Sequence, residues 1–178
     1  YLEIMRPVNS VMLGVAIIIG AFITGGTQIL NDSWSLVYAF FTGFTMSGAA
    51  MAINDYYDRE IDAINEPQRA IPSGRISPSA AVAFTGLLSA VGLASSYMIS
   101  TEALFIAVFA WVVMMVYSIW GKKTGFPGNL MVSVSVALPF MYGGIMTGSL
   151  AASLSFSGIA FLANTGREIT KGIVDIDG

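Results

Sequence analysis

The feature that most constrains this chain is a series of apolar runs about as long as a bilayer's hydrocarbon core is thick, joined by short charged connections. At 1.5 Å of helical rise per residue, about 20 residues cross about 30 Å of hydrocarbon. Six stretches meet or approach that length: Val8 to Thr27, Trp34 to Ile53, Ser79 to Ser100, Ala103 to Trp120, Asn129 to Thr147 and Ser153 to Lys171. They predict an all-α membrane protein, a bundle of six transmembrane helices in a single domain over residues 1–178. The last two runs carry Ser133, Ser135, Asn164 and Thr165, so the sixth also reads as a buried helix that does not span. Composition agrees with a lipid solvent: only 11% of residues are charged, against roughly 25% in a soluble domain. A secretory signal is the rival reading of the first run, but no small-residue cleavage site follows cleanly and more spans come after it.

The chain has no Cys and no His. That excludes thiolate nucleophiles, Cys–His zinc sites, His-ligated haem and any Ser–His–Asp arrangement. A net charge of −3 gives no footprint for nucleic acid. The chain opens on Tyr1 and stops at Gly178 just after a charged cluster, so it reads as a fragment.

Basic residues orient the bundle, because Lys and Arg collect in cytoplasmic loops. Arg6, Arg59, Arg69, Arg75, Lys122, Lys123, Arg167 and Lys171 all fall on one side if there are six spans. The connections near residues 25–33, 100–102 and 148–152 contain none. The expected arrangement is a multi-pass protein of the cell membrane with its basic side in the cytoplasm. Most acidic residues lie on that side too, with Asp32 and Glu102 the exceptions. Topology does not explain the acids, since Asp and Glu contribute little to orientation.

The densest acidic stretch, Asn54-Asp55-Tyr56-Tyr57-Asp58-Arg59-Glu60-Ile61-Asp62, continues the second apolar run directly. At about 100° per residue, Asn54, Asp55, Asp58 and Asp62 fall within an arc of about 100° on one helix face. Carboxylates at that spacing repel, and a hard divalent cation would relieve the conflict. Mg²⁺ suits such a half-built oxygen site, because it usually takes one or two carboxylates, several waters and substrate phosphate oxygens. The plainer reading is a solvated acidic helix end, which would oppose the helix macrodipole.

A second cluster follows the sixth run, where Glu168, Lys171 and Asp175 share one face if the helix persists. Glu168 with Lys171 also reads as an ordinary ion pair one turn apart. Between the clusters, Glu66 to Arg75 forms a loop broken by Pro67, Pro72 and Gly74, and Tyr117 to Gly125 carries Lys122 and Lys123. Arg suits bidentate phosphate contact and Lys serves as a point charge for it, although topology alone accounts for Arg75 and Lys123. Metal-holding carboxylates and phosphate-holding cations on one face of an apolar bundle suit a ligand with a diphosphate head and a hydrocarbon tail. Gly43, Ser47, Gly86, Gly92, Gly143 and Gly144 read as close-packing positions. Tyr142 and the phenylalanines read as core or lipid-facing residues, with the lining of a prenyl tunnel as the alternative.

Asn54-Asp-Tyr-Tyr-Asp58-Arg-Glu-Ile-Asp62, followed by Arg69 and Pro72-Ser73-Gly74, resembles the first aspartate-rich motif of the UbiA superfamily of intramembrane prenyltransferases. The 167–177 cluster resembles the family's second acidic motif, Tyr117 with Lys122 its tyrosine–lysine loop, and Arg6-Pro7-Val8-Asn9 the start of its first helix. Glu60 to Asn65, Arg167-Glu168-Ile169 and Lys171 most resemble the archaeal ether-lipid branch. Ala70 stands where Pro is usual. Gly172 and Val174 stand where that branch usually has acids, which bears on the second metal's ligands.

The resemblance implies a fold of about nine helices, of which this chain would hold six, around a cavity with both acidic motifs at its cytoplasmic mouth and a side opening to lipid. It implies Mg²⁺ as cofactor, with Asn54, Asp55, Asp58 and Asp62 facing one ion and Glu168 and Asp175 another. Arg69, Lys122 and Lys171 would bind the diphosphate, and Asp58, Asp62 and Asp175 would be the catalytic carboxylates. The implied reaction moves a geranylgeranyl group from an isoprenoid diphosphate donor to a lipid-phosphate acceptor, geranylgeranylglyceryl phosphate, within membrane lipid. Rival readings are a UbiA-type enzyme with an aromatic acceptor from quinone, haem or chlorophyll pathways, and a cation-binding transporter. Transporter sites lie near the midplane on broken helices, whereas both acidic clusters here lie at predicted helix ends. A CDP-alcohol phosphotransferase is disfavoured because the D-G-x-x-A-R signature is absent.

Overall fold

Proline and small polar residues punctuate the chain where the apolar runs begin. The computed structural model describes residues 1–174. It consists of α1 (Leu2–Met5), α2 (Pro7–Gly25), α3 (Ser33–Asn65), α4 (Pro78–Tyr97), α5 (Thr101–Ile119), α6 (Phe126–Thr147) and α7 (Leu150–Val174), with 3-10 turns at Gly26–Asp32 and Gly121–Lys123. Pro7, Pro78 and Pro127 sit in first turns, where a missing N–H costs nothing. Asp32, Ser77 and Ser100 cap the next helices by accepting from the backbone N–H groups of Ser35, Ala80 and Ala103. Gly148 ends α6 in the left-handed region at φ 69°, where a side chain would be strained.

Neighbouring helices close a ring in which α2, α3, α4, α5 and α6 each pack on the next and α6 returns to α2, while α7 lies outside against α6. The stretch Pro7–Asn65, which contains α2 and α3, and the helices α4, α5 and α6 are long and apolar enough to cross a membrane. The sixth run forms α7, whose 25 residues fall outside that set.

Burial is inside-out relative to a soluble bundle. Ser10, Ser96, Ser133 and Ser153 are fully buried, whereas Phe105 and Leu162 are 70% exposed. α7 repeats the pattern, burying Ser153, Ser157 and Asn164 while exposing Leu154, Ile159 and Leu162. Small and polar residues between helices with apolar residues outward are what lipid-solvated helices require. Asn164 Nδ2 donates to Ser133 Oγ at 3.2 Å, fastening α7 to α6, and Trp111 Nε1 donates to Ser89 Oγ at 3.1 Å, fastening α5 to α4.

Most of the expected close-packing glycines behave as such. A Cβ on Gly143 would collide with the backbone of Gly20 and Ala21, and one on Gly43 would collide with Gly14, so α2 approaches both α6 and α3 at backbone distance. Gly86 differs: a Cβ there meets nothing within 4 Å, because it borders an open groove between α4 and α5.

The helix that carries the acidic motif is the longest. At 33 residues, α3 is about 50 Å long, roughly 20 Å more than a hydrocarbon core. Its surplus turns hold Asn54 to Asp62 beyond the apolar layer.

Candidate active site at the polar end of the bundle

The four oxygen-bearing side chains of α3 divide into two pairs, each around its own cation. Along the arc predicted from helical spacing, Asn54 and Asp58 lie at one edge and Asp55 and Asp62 at the other. Lys122 Nζ donates to Asn54 Oδ1 at 2.7 Å and to Asp58 Oδ1 at 2.6 Å. Arg69 Nη1 lies 2.9 Å from Asp62 Oδ2 and 3.5 Å from Asp55 Oδ1. Asp55 also accepts from Arg6 Nη2 at 2.8 Å. The expected single cluster is therefore two neighbouring ones, because an arc this wide meets cations arriving from different elements. Among the described residues, no three His, Cys, Asp or Glu converge to hold one metal ion. Asn54 and Asp58 do converge on one point of positive charge, and two hard oxygens fit the protein share of a Mg²⁺ shell.

Local folding explains where each cation comes from. The loop after α3 turns through Gly74, at φ 77°, and through bonds from Ser73 N to Arg69 O and from Ile76 N to Ala70 O, both 3.0 Å. Ala70 and Ile71 are buried against Ile4 and Ala52, which anchors the backbone that carries Arg69. Glu66 accepts from Arg69 Nε at 2.5 Å. This bond holds the Glu66 carboxyl below its usual range and, as the largest influence on Arg69, raises the guanidinium's pKa. Lys122 sits on the 3-10 turn after α5, shortly before α6 begins at Phe126.

Arg6 is the residue that sequence reasoning assigned no role in the site. It joins α1 to α2 with a left-handed backbone, φ 48° and ψ 72°, the one non-glycine residue at positive φ among those described. Pro7 disfavours the right-handed helical conformation at the residue before it, which breaks the helix and turns the Arg6 side chain towards Asp55. Such a conformation costs about 1–3 kcal/mol, and the surrounding contacts offset it. Arg75 bonds to Glu3 of α1 at 2.7 Å, tying that turn to the loop that carries Arg69. The dipeptide Arg6-Pro7 was the visible signal, but its partner lies 49 positions away.

From the second cluster, Glu168 is mostly buried and pairs with Arg167 at 3.2 Å. Tyr117 is half-buried near the end of α5. Lys171 is exposed on α7. Asp175 lies outside the described residues.

Below the polar groups lies an apolar cavity of about 540 Å³ between α2, α3, α5 and α6. On α3 its wall runs through Gly43, Ser47 and Met51, the face that one further turn carries into Asn54 and Asp58. Tyr142 and Phe140 line it, the alternative to the core or lipid-facing reading.

The bundle thus carries a cationic and acidic mouth over a hydrocarbon-lined chamber. The chain is 38% identical over 178 residues to digeranylgeranylglyceryl phosphate synthase from Methanothermobacter thermautotrophicus, covering 100% of this chain and 62% of that relative. It is 38% identical over 177 residues to the protein of the same name from Natronomonas pharaonis, covering 99% of this chain and 63% of the relative. The chain thus spans less than two thirds of the length of these relatives. A solved structure of digeranylgeranylglyceryl phosphate synthase superposes with a TM-score of 0.94 at 32% identity, over 100% of this chain and 63% of that one. The apo structure of a UbiA homolog from Aeropyrum pernix shares the fold, with a TM-score of 0.76 at 20% identity over 99% of this chain and 66% of that one. The model of the UbiA prenyltransferase family matches residues 8–178, a range that runs from the first turn of α2 through α7 and includes both acidic motifs. With fold, motif order and family match in agreement, this chain belongs to the UbiA prenyltransferase family.

Proposed function

We propose that the full-length protein is a Mg²⁺-dependent membrane prenyltransferase that moves a geranylgeranyl group from its diphosphate to the free hydroxyl of geranylgeranylglyceryl phosphate, at the cytoplasmic face. The observation that carries this reading is the convergence of Asn54 Oδ1 and Asp58 Oδ1 on one cationic nitrogen above the apolar cavity. It sets a head-group site over a tail site. Similarity to relatives named digeranylgeranylglyceryl phosphate synthase favours the lipid-phosphate acceptor over an aromatic one.

Asn54 and Asp58 would hold Mg²⁺, which when bound supplies positive charge to the departing diphosphate. Glu168 and Asp175 would hold a second ion. Lys122 turns from the α3 pair to the diphosphate oxygens, where Arg69 and Lys171 join it. Asp55 and Asp62 hold Arg69 and Arg6 in position, so they act on the same anion through those guanidinium groups. The apolar walls of the cavity keep water from the allylic cation formed as the carbon–oxygen bond of the donor breaks. The acceptor hydroxyl then forms the new ether bond, and its proton passes to Asp175 or to the released diphosphate.

The acceptor is tested by giving the full-length protein in membranes one labelled geranylgeranyl diphosphate and two acceptors, geranylgeranylglyceryl phosphate and an aromatic acid. Label is expected in the ether lipid. Label in the aromatic product alone would overturn the lipid reading.

A further inference from the structure

The cavity ends at one depth on all four helices that line it. Its deepest residues are Ile17 on α2, Thr42 on α3, Ile106 and Ala107 on α5, and Tyr142 on α6. α2 and α6 run opposite to α3 and α5, so the coincidence marks a floor. Below it the bundle closes: Tyr142 packs in a buried cluster with Ile17, Ala39, Ala103 and Ala107.

Tyr142 is the large member of that floor and it is held in place. Only 3% of it is exposed. Its hydroxyl donates to Ser96 Oγ on α4 at 2.8 Å and lies 3.4 Å from Thr42 Oγ1 on α3. Ser96 is itself fully buried, so the ring is pinned by a polar contact in apolar surroundings, where an unpaired hydroxyl is costly. Ala39 and Ala103, also fully buried, add little bulk beside the ring, and Leu93, Ile99 and Met146 pack around the same cluster.

Depth fits a particular tail. Helical rise puts about 18 to 24 Å between Thr42 and the Asn54–Asp58 pair, close to the ~20 Å of an extended geranylgeranyl chain. We infer that Tyr142 is the chain-length stop of the donor site, setting the longest prenyl tail that fits between the diphosphate groups and the cavity floor. The inference rests on the prenyl-transfer reading above and adds a specificity residue to it.

The test supplies full-length protein in membranes with an equimolar mixture of C15, C20 and C25 allylic diphosphates plus the lipid-phosphate acceptor, and reads product masses. In the natural protein C25 transfer is expected to fall at least about 10-fold below C20, since even one surplus methylene in a fixed apolar pocket costs about 10-fold or more. Tyr142→Ala is expected to raise the C25:C20 ratio by about 10-fold. Tyr142→Phe, which keeps the ring, should stay within about 3-fold of the natural ratio. Ala107→Leu raises the floor from another helix and should shift preference from C20 towards C15, which keeps the inference testable if the alanine variant fails to accumulate. C25 used as readily as C20 by the natural protein would overturn the inference, as would unchanged ratios in Tyr142→Ala or Ala107→Leu. Absence of transfer from all three donors in the natural protein would instead overturn the prenyl-transfer reading.

Discussion

Lys122 Nζ lies 2.6 Å from Asp58 Oδ1, so a loop cation 64 residues away in sequence occupies the point where the α3 oxygens converge. Both side chains are about four-fifths buried, at 18% and 21% exposure, which limits screening by water. Lys122 is thus an internal counter-ion, which in the proposed reaction a divalent metal would displace. Lys122→Ala should bind Mn²⁺ about 10-fold more tightly without diphosphate, while its affinity for inorganic diphosphate falls. Titration of the full-length protein followed by electron paramagnetic resonance checks both, and unchanged Mn²⁺ affinity would contradict the account.

Asp55 is shared by Arg6 and Arg69, and only 6% of it is exposed. Removing it breaks both of these pairs and leaves Arg6 without a carboxylate while Arg69 keeps Asp62 and Glu66, whereas removing Arg6 breaks one pair and leaves Asp55 with Arg69. Asp55→Ala should therefore destabilise more than Arg6→Ala, by about 1–3 kcal/mol. Thermal unfolding of the detergent-solubilised variants reads the difference. Equal losses would show that Arg69 does not share the carboxylate.

The glycines offer an internal contrast. Gly143→Ala forces a side chain against the α2 backbone at Gly20 and Ala21 and should cost about 1–3 kcal/mol. Gly86→Ala adds a methyl to open space within a helix and should be neutral or stabilising by up to about 1 kcal/mol. Unfolding midpoints of the two variants should move in opposite directions or differ widely.

Much of this was legible in the chain, for reasons that also explain what was not. Hydropathy located the six long helices because lipid solvation demands apolar runs of set length, and the unbroken pattern from Trp34 into Asp62 foretold that α3 carries the motif beyond the membrane. The division of the four polar side chains was hidden, because it depends on Lys122 and Arg6 approaching from distant elements. Gly86 looked like its packing counterparts, yet its neighbours across the helix pair stand away from it. For Tyr142 the choice between core and cavity wall was open in the sequence, because Ser96, which holds its hydroxyl, lies 46 positions earlier.

The central claim is that Asn54 and Asp58 place a metal beneath a departing diphosphate. It is tested most directly by the rate of geranylgeranyl transfer to geranylgeranylglyceryl phosphate in membranes holding the full-length protein, with and without Mg²⁺, for the natural sequence and for Asp58→Ala. The account predicts that product formation falls by about 100-fold or more when either the metal or the Asp58 carboxylate is removed. Product formed at the same rate without Mg²⁺, or by Asp58→Ala, would contradict it.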